Sequence, residues 1–405
     1  MGFTKREALD FIAENDVKFV RLAFCNLFGV QKNVAIMAQE LQSAFERGVC
    51  LDTALVEDYV AEEDADIFLF PDPSTFTILP WRPSHNRVAR FFCDIRRADG
   101  SPCDGDGRIL LRNAVQKASA MGLDCQIGFE IEFYLFRRDE NGDPTLIPQD
   151  SAGYCDVAPR DKAENIRREI CLTLEEMGIS PQSSHHERGP GQNEIVCRHT
   201  DALTAADQLV TAKTVIEVTA ARNGLEACFR PKPLPGRDGS SVHISMSVSR
   251  GGVNLFEKGN DPEAGRFIAG IISHLGDLCA FLNPMPESYL RFGDDVPSAV
   301  TWSHRNRNQL IRIPASRMEL RSADSSMGPY FSFALLLESG LEGIVKHFSL
   351  TAAEAPDGAI PASLNEALQR ARGSALVNAV VPTKALEAYC EQKQEEYLRW
   401  KTRMS

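Results

Sequence analysis

Polar residues fall at every second position of three otherwise apolar runs: GFEIEFYLF (128–136), SSVHISMSV (240–248) and SRMELRS (316–322). Alternation of period two marks a strand with one buried and one polar face. Glu130 and Glu132 therefore share a face, with Phe129, Ile131 and Phe133 behind them. His243, Ser245 and Ser247 align in the second run, and Arg317, Glu319 and Arg321 stand in front of Met318 and Leu320 in the third. The three strands predict a sheet with one polar face, backed by helices. The helices read as residues 109–122, 163–178 (with Ile166, Ile170 and Leu174 on one face) and 202–224. Each closes on a glycine, Gly122, Gly178 or Gly224, able to take the left-handed cap. Upstream, the extended runs KFVRLAFC, QKNVAIM, ADIFLFP and VARFFCDIR alternate with one helix, AQELQSAFERG, as in a small α+β domain. The polar, glycine-rich passage 96–108 separates the two, dividing the chain into residues 1–100 and 101–405.

Composition narrows the function classes. The chain has 405 residues, ample for two domains, and a formal net charge of -12 with no Lys/Arg block. Nucleic acid and anionic membrane are poor partners for such a surface. The 11 cysteines are odd in number and include no C-x-x-C, so they read as packed, reduced thiols. The N-terminus has no apolar signal core, and no run approaches about 18 consecutive apolar residues, the length of a membrane span. These features predict a cytoplasmic protein.

Two carboxylates on one face of a buried strand are costly unless paired or metal-bound. Two more, Glu187 and Glu194, flank a Gly-Pro-Gly turn in SSHHERGPGQNEIVCR, and the turn brings them together. With Glu319 and His243 the inventory is five glutamates and one histidine. That hard donor set suits Mg²⁺ or Mn²⁺ better than zinc. His186 and Glu187 do not begin a helical H-E-x-x-H site, because Pro190 stands where the second histidine belongs. Arg305, Arg307, Arg312, Arg317 and Arg321 crowd around Glu319, and forked guanidiniums suit phosphate. Metal with arginine points to phosphoryl chemistry, held by neither a P-loop nor a G-x-G-x-x-G turn. Any one of these residues alone reads more simply as a solvated face or a structural ion pair, and His186 and His274 read as packed histidines. The convergence of four segments carries the functional reading.

In this order the segments GFEIEFYLF, SSHHERGPGQNEI, PKPLPGRDGSSVH, NPMPESYLRFG, RNRNQLIRIP and MELRSAD resemble the glutamine synthetase family, with CLDTALVEDY and FLFPDPST in the small domain. The resemblance implies an N-terminal β-grasp domain and a catalytic domain built on a curved antiparallel sheet. It also implies a homo-oligomer of two stacked hexamers with active sites between neighbouring subunits. Carried over by motif, Glu132, Glu187 and Glu194 would hold the metal that orients glutamate, and Glu130, His243 and Glu319 the metal on the ATP phosphates. Two or three Mg²⁺ or Mn²⁺ ions per site are implied. Gly239, Arg291 and Arg321 match positions that grip the amino acid, Arg307, Arg312 and Arg317 those that handle phosphate, and Ser247 a nucleotide contact. ATP would phosphorylate the glutamate side chain, and ammonia or a small amine would displace phosphate.

The departures from the family pattern cluster where amine and glutamate would sit. The flap after the substrate arginine reads RFGDDVPSAVTW, shorter than usual, with Val296 before Pro297 where the family carries its proton-accepting glutamate. Asp295 is the nearest carboxylate and the expected replacement. The small-domain loop keeps its acid as Asp52 but continues Thr53-Ala54 without the usual serine, and Asp238 and Ser241 replace the usual asparagine and glycine. No Tyr lies between Phe348 and Tyr389, which removes the adenylylation site of long family members. Three readings stay open: glutamate–ammonia ligase, γ-glutamyl ligase for a larger primary amine, and a non-catalytic ring. Retention of all six metal positions argues against the last.

Overall fold

Thr4 and Glu7 start helix α1 (Lys5–Glu14) with a capping box: the Thr4 hydroxyl accepts the Glu7 N–H and the Glu7 carboxylate accepts the Thr4 N–H. Among the described residues the small domain thus holds two α-helices, where periodicity alone predicts one. The computed structural model describes residues 2–52, 66–257 and 261–404. After α1 come β1 (Val17–Cys25), β2 (Gln31–Met37), α2 (Leu41–Arg47), β3 (Val49–Leu51), β4 (Ile67–Pro71), β5 (Thr77–Ile78) and β6 (Arg87–Arg97). They form a mixed sheet in the order β2-β1-β6-β4-β3, with β5 against β6 and the β1–β6 pair parallel. Alternate residues of these central strands enter different cores. Leu22 and Phe91 join the small domain's own core, whereas Ala23 and Phe92 belong to the catalytic core.

The second domain runs α3 (Gly107–Ala120), β7 (Leu123–Arg138), β8 (Pro144–Pro148), α4 (Glu164–Glu176), β9 (Pro181–His186), β10 (Gln192–Asp201), α5 (Ala202–Arg222) and β11 (Leu225–Cys228). It continues with β12 (Val242–Arg250), β13 (Val253–Asn254), α6 (Pro262–Leu282), β14 (Trp302–Ser303), β15 (Ile311–Arg312), β16 (Met318–Leu320), α7 (Pro329–Val345), α8 (Leu364–Gly373), α9 (Ala375–Val380) and α10 (Thr383–Met404). Ten strands make one largely antiparallel sheet, β14-β15-β16-β12-β7-β10-β9, with β8, β11 and β13 off that path. β7 is its spine. Its first half pairs with β12, its second with β8 and β11, and β10 runs along the other edge.

The back of the sheet is apolar, as the alternation predicts: Phe129, Ile131 and Phe133 are buried in the core shared with α3, α5 and α7. Gly122, Gly178 and Gly224 have positive φ just past their helices. α6 is long and apolar enough to cross a bilayer, yet its apolar residues lie inside the core against α7. That packing needs glycine, since a Cβ on Gly270 would sit 2.1 Å from the Ser339 carbonyl oxygen. None of the cysteines is in a disulfide, and among them only Cys50 and Cys155 are exposed.

Candidate active site

Strand register sets the site. Antiparallel pairing puts Glu130 opposite His243, Glu132 opposite Glu194, and Glu319 opposite both Ser245 and Arg312. Directly opposed side chains on one face lie about 5 Å apart at Cβ, so three short stretches of ladder are enough to gather the carboxylates. Glu187 joins them from the β9–β10 turn, where its N–H donates to the Gln192 carbonyl.

The side chains form overlapping groups. Glu130, His243 and Glu319 offer ligand atoms within 4.8 Å of one another; so do Glu132, Glu194 and His243, and so do His185, Glu187 and Glu194. His185 was not singled out from the sequence. Its signal was the alternation in SSHHER, which puts His185 on the face of Glu187; its Nε2 lies 2.8 Å from Glu187 and 3.7 Å from Glu194. His186 faces the other way and is fully buried, with Nδ1 2.6 Å from the Glu187 carbonyl and Nε2 2.9 Å from Asp150. It is packed, as expected, but packed so as to hold the Glu187 backbone.

Charge balance differs between the groups. Glu132 accepts N–H donors from Ser241 (2.9 Å) and Gln192 (3.1 Å), yet burial, with Glu187 adding to it, pushes its carboxyl up to about 7. Burial and then the charges of Glu132, Glu130 and Glu187 push Glu194 up to about 9. Burial also works against Glu130, but the His243 contact at 3.0 Å and the charges of Arg321 and Arg317 leave it below its usual value. Without ions, then, the Glu132–Glu187–Glu194 side is short of positive charge.

The cavity beside these groups has a volume of about 680 Å³. Of the other predicted residues, Gly239, Asp295, Arg307 and Arg321 line it. Arg321 and Arg312 both donate to Glu319, the latter at 3.3 Å. Arg307 is exposed and forms no ion pair among the described residues. Arg317 lies near Glu130, and Ser247 sits farther along β12, opposite Gln126. Two residues stand apart. Arg291 is completely buried, donating to the Ser241 hydroxyl (2.6 Å) and to the Ser322 and Ala323 carbonyls, with Asp324 at 3.6 Å. Asp52 is exposed just past β3, away from this cavity; Thr53 and Ala54 lie outside the described residues. Asp295 receives the Lys232 ammonium and the Gly239 N–H on one oxygen.

The chain matches two family descriptions, the glutamine synthetase β-grasp domain over residues 16–98 and the glutamine synthetase catalytic domain over residues 104–405. It is 38% identical to a glutamine synthetase of Clostridium saccharobutylicum, over 99% of this chain and 97% of that one. It is 39% identical to a glutamine synthetase of Methanosarcina mazei, over 98% and 95%. The chain belongs to the glutamine synthetase family. A solved structure titled "Apo GmaS without ligand" superposes with a TM-score of 0.89 at 27% identity, covering 97% of this chain and 96% of that one. The Plasmodium falciparum glutamine synthetase shares the fold, with a TM-score of 0.88 at 22% identity over 99% and 97%.

As a member of the glutamine synthetase family, the protein is a carbon–nitrogen ligase with an N-terminal β-grasp domain and a catalytic domain around a curved sheet. Enzymes of this family use ATP and divalent metals. The donor set here fits such ions: carboxylates with imidazole, buried or half-buried, with Glu194 raised above its usual range by burial and by neighbouring carboxylates.

Proposed function

We propose that this ligase activates the side-chain carboxylate of glutamate with ATP and transfers the γ-glutamyl group to ammonia. The observation that carries the reading is the opposition of Glu130 to His243 and of Glu132 to Glu194 on one polar sheet face, with Arg307 and Arg321 lining the same cavity. Divalent ions, Mg²⁺ or Mn²⁺, would supply charge neutralisation at phosphate and carboxylate oxygens. Glu132, Glu187 and Glu194 would hold the ion nearer glutamate, with His185 beside them; Glu130, His243 and Glu319 would hold the ion nearer the ATP phosphates. Gly239 and Arg321 orient the amino acid. Arg291 supports this from behind, through Ser241. Arg307, Arg312 and Arg317 meet the phosphates, and Ser247 the nucleotide; a solved neighbour is titled as an ADP complex, in keeping with this. Arginine forks offset charge on the transferring phosphoryl group, after which the amine displaces phosphate from the γ-glutamyl phosphate.

Assembly into two stacked hexamers, as the family resemblance implies, would bring Asp52 of a neighbouring copy to the open side of the cavity. A cytoplasmic location accords with eleven cysteines that form no disulfide. A second reading, a larger primary amine as acceptor, is favoured by one observation: Asp295, the expected replacement for the family's glutamate, is already committed to Lys232 and Gly239. ATP hydrolysis measured with glutamate across a panel from ammonia to larger amines, with products identified by mass, tests both. Ammonia as the best acceptor supports the first reading. A larger amine preferred by orders of magnitude supports the second.

A further inference from the structure

The flap after Arg291 is tied down at both of its ends. The Asp295 and Val296 N–H groups both donate to the Arg291 carbonyl, at 2.9 and 3.0 Å, and Gly293 N–H closes on the Val296 carbonyl at 2.7 Å. Val296 is buried and Gly293 has a φ of +97°. This is a tight turn with an apolar plug. From it the Asp295 carboxylate reaches across to the segment 231–241, where a single oxygen accepts the Lys232 ammonium and the Gly239 N–H (3.0 Å). Both charged side chains are largely covered, Lys232 being 11% and Asp295 16% exposed.

The tie continues inward. The Gly239 carbonyl accepts the Gln192 side-chain N–H at 3.0 Å, and the same nitrogen donates to Glu132 at 3.1 Å. Two residues on, the Ser241 N–H also donates to Glu132, and the Ser241 hydroxyl receives Arg291. A Cβ at position 239 would stand 2.5 Å from the Pro231 carbonyl and 2.9 Å from the Asp295 carboxylate, so the close approach requires glycine. Asp295, Gly239, Gln192 and Glu132 thus form one hydrogen-bonded chain from the flap to the carboxylate group.

We propose that Asp295 is a positioning residue, a latch that fastens the short flap to Lys232 and Gly239 and through Gln192 sets Glu132, and that it is not the proton acceptor for the amine. The proposal rests on the ligase reading for its kinetic consequences and on geometry alone for its structural ones. A proton taken up on the other oxygen would neutralise the carboxylate and weaken both charge-assisted bonds, so acid–base work there would loosen the fastening. Asp294, the adjacent carboxylate, also lines the cavity and has no partner among the described residues, which leaves the flap one uncommitted acid.

Hydrogen exchange of the full chain, with rates for ammonia and hydroxylamine in parallel, tests the latch on Asp295→Ala, Asp295→Asn and Lys232→Met. Losing a charge-assisted hydrogen bond should speed exchange of the Gly239 amide by about tenfold or more in Asp295→Ala, and by less in Asp295→Asn, whose carbonyl still accepts. The apparent KM for glutamate should rise by a similar factor in Asp295→Ala, less in Asp295→Asn, with equal losses for the two nucleophiles; Lys232→Met should move it the same way. Unchanged Gly239 exchange in Asp295→Ala overturns the latch. So does an Asp295→Asn variant as slow as Asp295→Ala with ammonia but restored by hydroxylamine, which is largely unprotonated near neutrality and needs no base. A wild-type protein that forms no γ-glutamyl product with any amine would remove the ligase reading, and the exchange rates would still decide the latch.

Discussion

Two clusters of buried charge use the same side chains and reach opposite balances. At the domain junction Arg108 donates to Asp207 (3.0 and 2.9 Å), Asp94 (2.8 Å) and Asp72 (2.9 Å), and Arg112 adds bonds to Asp94 and Asp72. Tyr330 completes Asp207 at 2.7 Å. Every one of these carboxylates faces a guanidinium. Burial alone would weaken the Arg108 charge, but Asp207 and Asp72 outweigh it and hold its pKa well above the usual value. In the cavity Glu132, Glu187 and Glu194 gather with His185 and His243, and burial and the neighbouring carboxylates outweigh the Arg321 charge and push Glu194 up to about 9. A balanced cluster fastens two domains. An unbalanced one is costly to the fold and would be relieved by cations.

If that contrast is right, the same kind of substitution should have opposite consequences in the two places. The largest effect expected is on turnover: Glu132→Ala should lower it by about a thousandfold or more, the scale of several kcal/mol of charge stabilisation, while leaving the fold intact. Steady-state rates with Mg²⁺ and thermal melts check this. Unchanged turnover, or a wild-type rate indifferent to chelator, would remove the metal assignment. Next is Arg108→Ala, which removes the two-pronged partner of buried Asp207 and leaves Asp94 and Asp72 to Arg112 alone, and it should cost about 3–5 kcal/mol of stability by urea denaturation. A loss under about 1 kcal/mol would mean that the junction does not depend on its ion pairs.

Much of the cavity side was legible because period two is a strong rule. Glu130 and Glu132 facing one way and Phe129 and Ile131 the other follows from the strand alone, and the Gly-Pro-Gly turn foretells that Glu187 and Glu194 meet. The junction was not legible. Asp72, Asp94, Arg108 and Asp207 come from four elements, and no local pattern shows that an arginine in the first turn of α3 will meet an aspartate 99 positions away on α5. His185 was within reach of the same alternation that placed Glu187. The commitment of Asp295 to Lys232 was beyond it, since flap geometry depends on where two loops pass. Helix α1 was missed for a simpler reason: its burial is confined to Ala8 and Ile12, while its start is fixed by a capping box that hydrophobic periodicity does not see.

A smaller effect probes how the unbalanced cluster is held in place. His186 braces the Glu187 backbone and Asp150, and Asp150 in turn accepts the Gly191 and Ala152 N–H groups, so His186→Phe should weaken Mg²⁺ affinity by about ten- to a hundredfold. Calorimetric titration measures it. Burial works against the His186 charge, but the bonds to Asp150 and Glu187 leave its pKa raised. Its stabilisation is therefore full below its unfolded value and fades as pH climbs through the folded one. An affinity within twofold of wild type would make the brace irrelevant to the site.

The smallest effect expected is on the metal-free fold, and it isolates the cost of imbalance. Burial and neighbouring carboxylates push Glu194 up to about 9 in the folded state, against about 4.3 in an unfolded chain. Between those values the folded state keeps a proton that the unfolded state has released, so the stability of the chelated protein must fall as pH rises through that window. Glu194→Gln removes the titration while keeping the shape. At pH 8 the chelated variant should melt about 2 °C or more above chelated wild type, and its midpoint should depend less on pH between 6 and 8. Saturating Mg²⁺ should reverse the order, because the ion rewards the ionised carboxylate that the empty fold penalises. Parallel pH profiles for the two chelated proteins would mean that Glu194 is already compensated, and the contrast between the junction and the cavity would lose its energetic basis.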